Sequence, residues 1–154
     1  MTSDSLVVDT NVLVGLLDAS DVWHSTATSL YRVLPTQKGI YCDIVINETI
    51  TVLGRRMERH GRSADFPRVL DVLLQKIPSQ KIVWIAQFIQ PYYHEVIDTV
   101  TRFQGTVNFH DALIALYMRD NGLKYLLSFD ADFDSFPYIT RIKTIQDVQQ
   151  FLTV

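Results

Sequence analysis

The sequence predicts an α/β fold: a mostly parallel, twisted sheet of about four to five strands with helices on both faces. Three observations predict it. Short apolar or β-branched runs alternate with longer amphipathic segments of helical period along the whole chain. No linker, internal repeat or low-complexity tract breaks the alternation, so residues 1–154 read as a single domain. With 154 residues, 47% of them hydrophobic, the chain can bury roughly 70% of its unfolded surface without disulfides or structural zinc.

The elements follow in order. Leu6-Val7-Val8 is a strand that ends at Asp9-Thr10-Asn11, after which Val12, Leu13, Leu16 and Leu17 have helical spacing. Ser20 or Asp21 can cap a second helix over about 22–34, closed by Pro35. Ile40-Tyr41-Cys42 is a second buried strand. A helix from about Ile44 to Arg59 carries the stripe Ile46, Ile50, Leu53 and Met57 and stops at Gly61. Ser63 to about Lys76 is amphipathic, with Phe66, Val69, Leu70, Leu73 and Leu74 inside, and Pro78 separates it from a strand at Lys81–Ile85. A long helix covers about 87–103, and Asn108 caps another that runs to about Asn121 before Gly122. Lys124–Leu127 is a fourth strand, Asp130–Ser135 a polar loop, Ile139–Lys143 a weaker strand and Gln146–Phe151 a last short helix.

Composition excludes several classes. One cysteine, Cys42, rules out an internal disulfide framework and a Cys-based zinc cluster, and suits a reducing, cytoplasmic setting. The longest run without a polar residue, Ala112–Met118, is far short of the roughly 20 residues that span a bilayer, so no membrane helix is expected. The opening Met-Thr-Ser-Asp-Ser lacks the basic region of a signal peptide. No phosphate-binding glycine loop, dinucleotide turn or nucleophile elbow is present, and the four histidines form no i,i+4 pair for zinc.

The acidic residues are unusual. Fourteen of the 17 are Asp and only Glu48, Glu58 and Glu95 are Glu, although Glu is the better helix former. Caps and turns account for many aspartates, among them Asp21, Asp65 and Asp120. Asp9 and Asp130, however, directly follow strands, and the carboxyl edge of a parallel sheet is where ligands bind. Glu48 lies away from its helix's apolar stripe, on a face shared with Ile44, Arg55 and Arg59, whereas Arg56 points to another side. Asp111 falls in the first turn of its helix. Asp130-x-Asp132-x-Asp134 resembles a calcium loop in spacing, but Ser135 and Arg141 stand where its glycine and bidentate Glu belong. Each acid alone also suits a cap or a solvated face. Together, Asp9, Glu48, Asp111 and Asp130 can converge at one sheet edge, where repulsion calls for a hard cation such as Mg²⁺ or Mn²⁺ and where phosphodiester hydrolysis becomes possible.

Charge is uneven around these acids. Residues 55–81 carry seven basic and three acidic side chains, between two acidic segments. A solvated helix face explains the patch as well as polyanion binding does.

The ordered motifs resemble the PIN-domain family of ribonucleases, particularly the VapC-type toxins. Val7-Val8-Asp9-Thr10-Asn11-Val12-Leu13 is similar to the opening motif, Ile46-Asn47-Glu48-Thr49 to the second acidic position, His110-Asp111-Ala112-Leu113-Ile114-Ala115 to the third and Leu127-Ser128-Phe129-Asp130-Ala131-Asp132-Phe133 to the fourth. The resemblance covers nearly the whole chain, except that residues 61–104 match no motif. It implies a single PIN-like domain and cleavage of RNA with Mg²⁺ or Mn²⁺. Asp9, Glu48, Asp111 and Asp130 would be the metal-binding acids, Asp132 an extra ligand or a substitute, and Asn11 and Ser128 their polar neighbours. Asp134 is expected to be structural. The resemblance further implies a cognate antitoxin and a homodimer.

Arg55, Arg56, Arg59 and Arg62, with His60, are candidates for steering the RNA backbone. Tyr92-Tyr93 and Phe133/Phe136 are candidates for base stacking, although packing explains most of them. Two other classes stay open: a PIN-like module that binds RNA or protein without cutting, and a receiver-like signalling domain. Lys143 and Asp43 suit the second poorly.

Overall fold

Leu6–Val8 forms β1, the middle strand of the sheet, because its three side chains are apolar and buried on both faces. The computed structural model describes residues 5–35 and 37–153. The reading of the N-terminal Met-Thr-Ser-Asp therefore lies outside the described residues, as does Thr36 in the loop after the second helix. After β1 come α1 (Thr10–Leu17) and α2 (His24–Val33), then β2 (Gly39–Cys42), α3 (Asp43–Arg59) and α4 (Phe66–Lys76). The short β3 (Ile82–Val83) precedes α5 (Ile89–Arg102) and α6 (Phe109–Asp120), and β4 (Tyr125–Leu127), β5 (Thr140–Ile142) and α7 (Ile145–Leu152) complete the chain.

All five strands are parallel, in the order β3-β2-β1-β4-β5. Val8 stands in register with Tyr41 on one side and Leu127 on the other, so β1, β2 and β4 end level. The chain first steps from β1 through β2 to β3, then crosses back to β4 and on to β5. Right-handed crossovers in opposite directions place helices on opposite faces of the sheet, and the reversal opens a crevice between the ends of β1 and β4. Apolar residues of the sheet pack with those of α1, α2 and α6 in one cluster that includes Leu6, Leu13, Leu30, Leu113, Ile114 and Leu126.

The departures from the expected elements have identifiable causes. The strand expected at 81–85 pairs only over Ile82–Val83, because Asp43 accepts the backbone N–H groups of Ile85 and Ala86 and turns the chain away from the sheet. Ser63–Asp65 is a 3₁₀ turn rather than the start of α4, and Leu74, expected inside, is 67% exposed, leaving Leu73 as the buried side chain of α4. On α3 the buried line is Val45, Thr49, Leu53 and Met57, with Ile46 and Ile50 only half-buried. Asp21 accepts the Trp23 N–H in a turn before α2 instead of capping it, and Asp65 pairs with Arg62. Asp120 receives the Tyr92 hydroxyl and pairs with Arg119, which is likewise not capping. The loop 130–135 winds into a 3₁₀ turn over Ala131–Ser135 with Asp130 as its cap.

Candidate active site

Asp9 follows β1 as the N-cap of α1, so the strand end aims its carboxylate into the crevice. It is buried. Its Oδ1 accepts the Thr10 N–H at 2.7 Å and its Oδ2 accepts the Ser128 hydroxyl at 2.7 Å. Ser128 directly follows β4, and its Oγ also accepts the Asp130 N–H at 3.0 Å and the Asn11 side-chain amide at 3.2 Å. Asn11 returns the contact by accepting the Phe129 N–H. The two polar neighbours thus lock the ends of β1 and β4 together.

Glu48 and Asp111 arrive from the flanking helices. Thr10 donates its hydroxyl to Glu48 Oε2 at 2.8 Å, and His110 Nδ1 lies 3.6 Å from the same oxygen. Asp111 is the N3 residue of a capping box: Asn108 accepts its N–H, and Asp111 Oδ2 accepts the N–H of Asn108. Asp130 accepts the Asp132 N–H through Oδ1. All four acids line one cleft of about 330 Å³.

Burial and crowding show in their protonation. Burial, joined by the charges of Glu48 and Asp130 and only partly offset by the Ser128 and Thr10 hydrogen bonds, pushes Asp9 up to about 6. Burial and the Asp9 charge push Asp111 up to about 7. Glu48 goes the other way: the His110 imidazole, then the Thr10 hydroxyl, hold it below its ordinary value against its partial burial, and Glu48 in turn raises His110.

Among the described residues, no three His, Cys, Asp or Glu side chains stand close enough to form a ready-made metal cage. Asp9, Asp111 and Asp130 are each held by a hydrogen bond from their own segment and Glu48 by one from Thr10, and without a counter-charge the acids repel one another. The donors still fit a hard divalent ion: they are oxygens from four segments, they share a cavity, and two of them resist ionisation in the absence of a cation.

The other candidates divide. Asp130 lines the cleft, whereas Asp132 is not among its lining residues, and Asp134 pairs with Arg141. Arg56 lines the cleft on the same side of α3 as Glu48, contrary to the helical-wheel expectation, and is clamped by Asp21. Residues 48 and 56 are two turns apart, about 80° around an ideal helix, close enough for both to face the cavity. Arg55 and Arg59 are exposed and absent from the lining, and Arg62 is engaged by Asp18 at 3.2 Å. Phe133 and Phe136 are buried, as packing residues are. Thr10 and Trp23 also line the cleft without having been singled out. Thr10 was legible in the Asp-Thr-Asn motif; Trp23 carried no sequence signal.

Solved structures share this architecture. The Mycobacterium tuberculosis toxin VapC20, described as cleaving the sarcin-ricin loop, superposes with a TM-score of 0.65 at 24% identity over 85% of this chain and 94% of its own. A chain of the VapBC2 complex from Rickettsia felis, solved with a DNA fragment of its promoter, gives 0.61 at 16% identity over 89% and 96%. No curated protein matches the sequence. The profile of the PIN domain matches residues 6–137, from β1 through the loop after β4, and this chain therefore belongs to the PIN domain family.

Proposed function

We propose that this protein is a metal-dependent endoribonuclease, the toxin of a toxin–antitoxin pair, that hydrolyses RNA phosphodiester bonds. One observation carries the reading: in a PIN domain, four acids from four separate segments line one cleft at the reversal of strand order. Asp9, Asp111 and Asp130 would hold Mg²⁺ or Mn²⁺, with Glu48 beside them. When bound, the cation offsets the carboxylate charges and makes water a better nucleophile.

The chain's own residues do the remaining work. Ser128 and the Thr10 amide fix both oxygens of Asp9, so its carboxylate is oriented before any ligand enters. Thr10 and His110 keep Glu48 ionised, and both use Oε2, which leaves Oε1 to take a proton from the attacking water. Arg56, held at the cleft by Asp21, supplies a guanidinium on the side away from β4 for the RNA backbone. The structural likeness to chains from VapC20 and VapBC2 supports the toxin reading and a protein antitoxin as partner, and the family resemblance supports a homodimer.

The test is cleavage of a mixed RNA pool with Mg²⁺ or Mn²⁺. Cutting should stop in EDTA and fall at least about 100-fold in Asp9→Asn and in Asp111→Asn, by analogy with the loss of one strong electrostatic group at a reacting centre. Metal-dependent cutting that survives both substitutions sinks the site. A wild type that binds Mn²⁺ in calorimetry and RNA without cutting it would favour a binding module instead.

A further inference from the structure

As a nuclease site the cleft would receive a polyanion, yet the chain carries a net charge of −3 and five acids, Asp21 with Asp9, Glu48, Asp111 and Asp130, line the cavity. Arg56, a cation in that lining, is already paired with Asp21. Beyond Arg56 and a bound cation, the cleft's own side chains offer RNA little Coulombic attraction, and a contact indifferent to charge would add affinity there.

Such a contact stands at the cleft. Trp23 lines it together with Asp9, Asp111 and Asp130. Its indole stacks on Phe129 with centroids 4.5 Å apart and planes 15° from parallel, and Trp23 remains 44% exposed. Phe129 lies between two site residues, Ser128 and Asp130, and its backbone N–H is held by Asn11, so the stack is tied directly to the acids. The backbone of Trp23 is fixed as well: Asp21 accepts its backbone N–H, and Gly15 lets α1 approach so closely that a Cβ there would stand 3.2 Å from the Trp23 Cβ. An indole placed only for packing would be covered, and its N–H would find an acceptor; this one has no protein acceptor among the described residues. Its neighbour Val22 is 88% exposed and lines the same cleft.

We propose that Trp23, backed by Phe129, stacks an unpaired RNA base at the rim of the acidic cleft and thereby sets which phosphodiester reaches the acids. This rests on the nuclease reading for its consequence, but binding tests it independently. Stacking on an aromatic ring is open to every base, so the site would select single-stranded over paired RNA rather than one sequence. Trp23 is a positioning residue and takes no part in bond breaking.

The experiment uses the full chain with Trp84→Phe, so that Trp23 is the remaining tryptophan, and short single-stranded RNAs whose nucleotides are replaced one at a time by an abasic residue. Affinity is read from the anisotropy of labelled RNA, and stacking from Trp23 emission. Trp23 fluorescence should be quenched at saturation, Trp23→Ala should weaken binding about tenfold, and Trp23→Phe should keep most of the affinity. One abasic position should cost the wild type the same factor and cost Trp23→Ala nothing further. Unchanged emission with bound RNA, or a Trp23→Ala protein that loses as much affinity at each abasic position as the wild type does, overturns the proposal. RNA that quenches Trp23 but is never cut overturns the nuclease reading and leaves the stacking site standing. RNA cut without quenching does the reverse, and RNA that fails to bind removes both.

Discussion

Asp9 accepts a hydrogen bond at each oxygen, and the one from Ser128 does more than orient it. Of the contacts that hold its pKa down, the Ser128 hydroxyl is the strongest, and without it only the Thr10 N–H is left to oppose burial. Ser128→Ala should therefore weaken Mn²⁺ binding roughly 10- to 100-fold, as other changes behind a ligand do, and move the acidic limb of the pH–rate profile upward. Calorimetry and a pH profile check both. A Ser128→Ala protein with the metal affinity and profile of the wild type would show that this hydrogen bond does not tune Asp9. At this scale the sequence was legible where chemistry depends on immediate neighbours: Asp9 and Asp130 are recognisable because each follows a strand. Trp23 was not, and Arg56, named among the basic candidates, was expected on another side of α3 than Glu48, because a place in the cleft depends on how α2 and α3 pack against α1, which spacing along one helix cannot specify.

The N-terminus of α6 joins stability to function. Asn108 and Asp111 satisfy each other's backbone N–H groups, so the cap that starts the helix also fixes a site carboxylate. Asn108→Ala should cost about 1 kcal/mol of stability, or about 2–4 °C in Tm, and should lower metal affinity as well because Asp111 loses its tether. An equal loss at the Thr144–Asp147 capping box of α7, far along the chain, should leave metal binding unchanged, so Thr144→Ala is the control. Element types and order were readable from periodicity and caps, since these are local. Ends and faces were less so. β3 is cut short by Asp43, a residue about forty positions earlier in the chain, and Leu74, inside by pattern, stays 67% exposed. Only the assembled sheet decides such cases.

Across the whole molecule, the cleft makes stability depend on pH and on metal. Asp9 and Asp111 have folded values of about 6 and about 7 against 3.8 for an ordinary Asp, so between about pH 4 and 7 the folded chain binds more protons than the unfolded one. Stability must then fall as the pH rises through that window. His110, raised by Glu48, adds to the fall above its ordinary 6.5. Asp134 and Glu48 are lowered, chiefly by Arg141 and by His110, and their contributions are lost only on acidification below about pH 4, outside this range. Metal-free protein should melt at a lower temperature at pH 8 than at pH 5, by about 5 °C on the scale of 2 kcal/mol or so. Mn²⁺ should raise Tm more at pH 8 than at pH 5, and Asp111→Asn should stabilise the metal-free chain at pH 8 while abolishing that rise. A Tm that climbs from pH 5 to 8 without metal would contradict the electrostatic account of the cleft.

The bond between Ser128 and Asp9 joins residues 119 positions apart, and the cleft draws on segments from Asp9 to Asp130. No shorter stretch of the chain brings all four acids together, so a polypeptide still on the ribosome holds only scattered carboxylates until its last strands emerge. A chain stalled or cut before Asp130 therefore lacks the assembled cleft, however well its earlier helices and strands have folded.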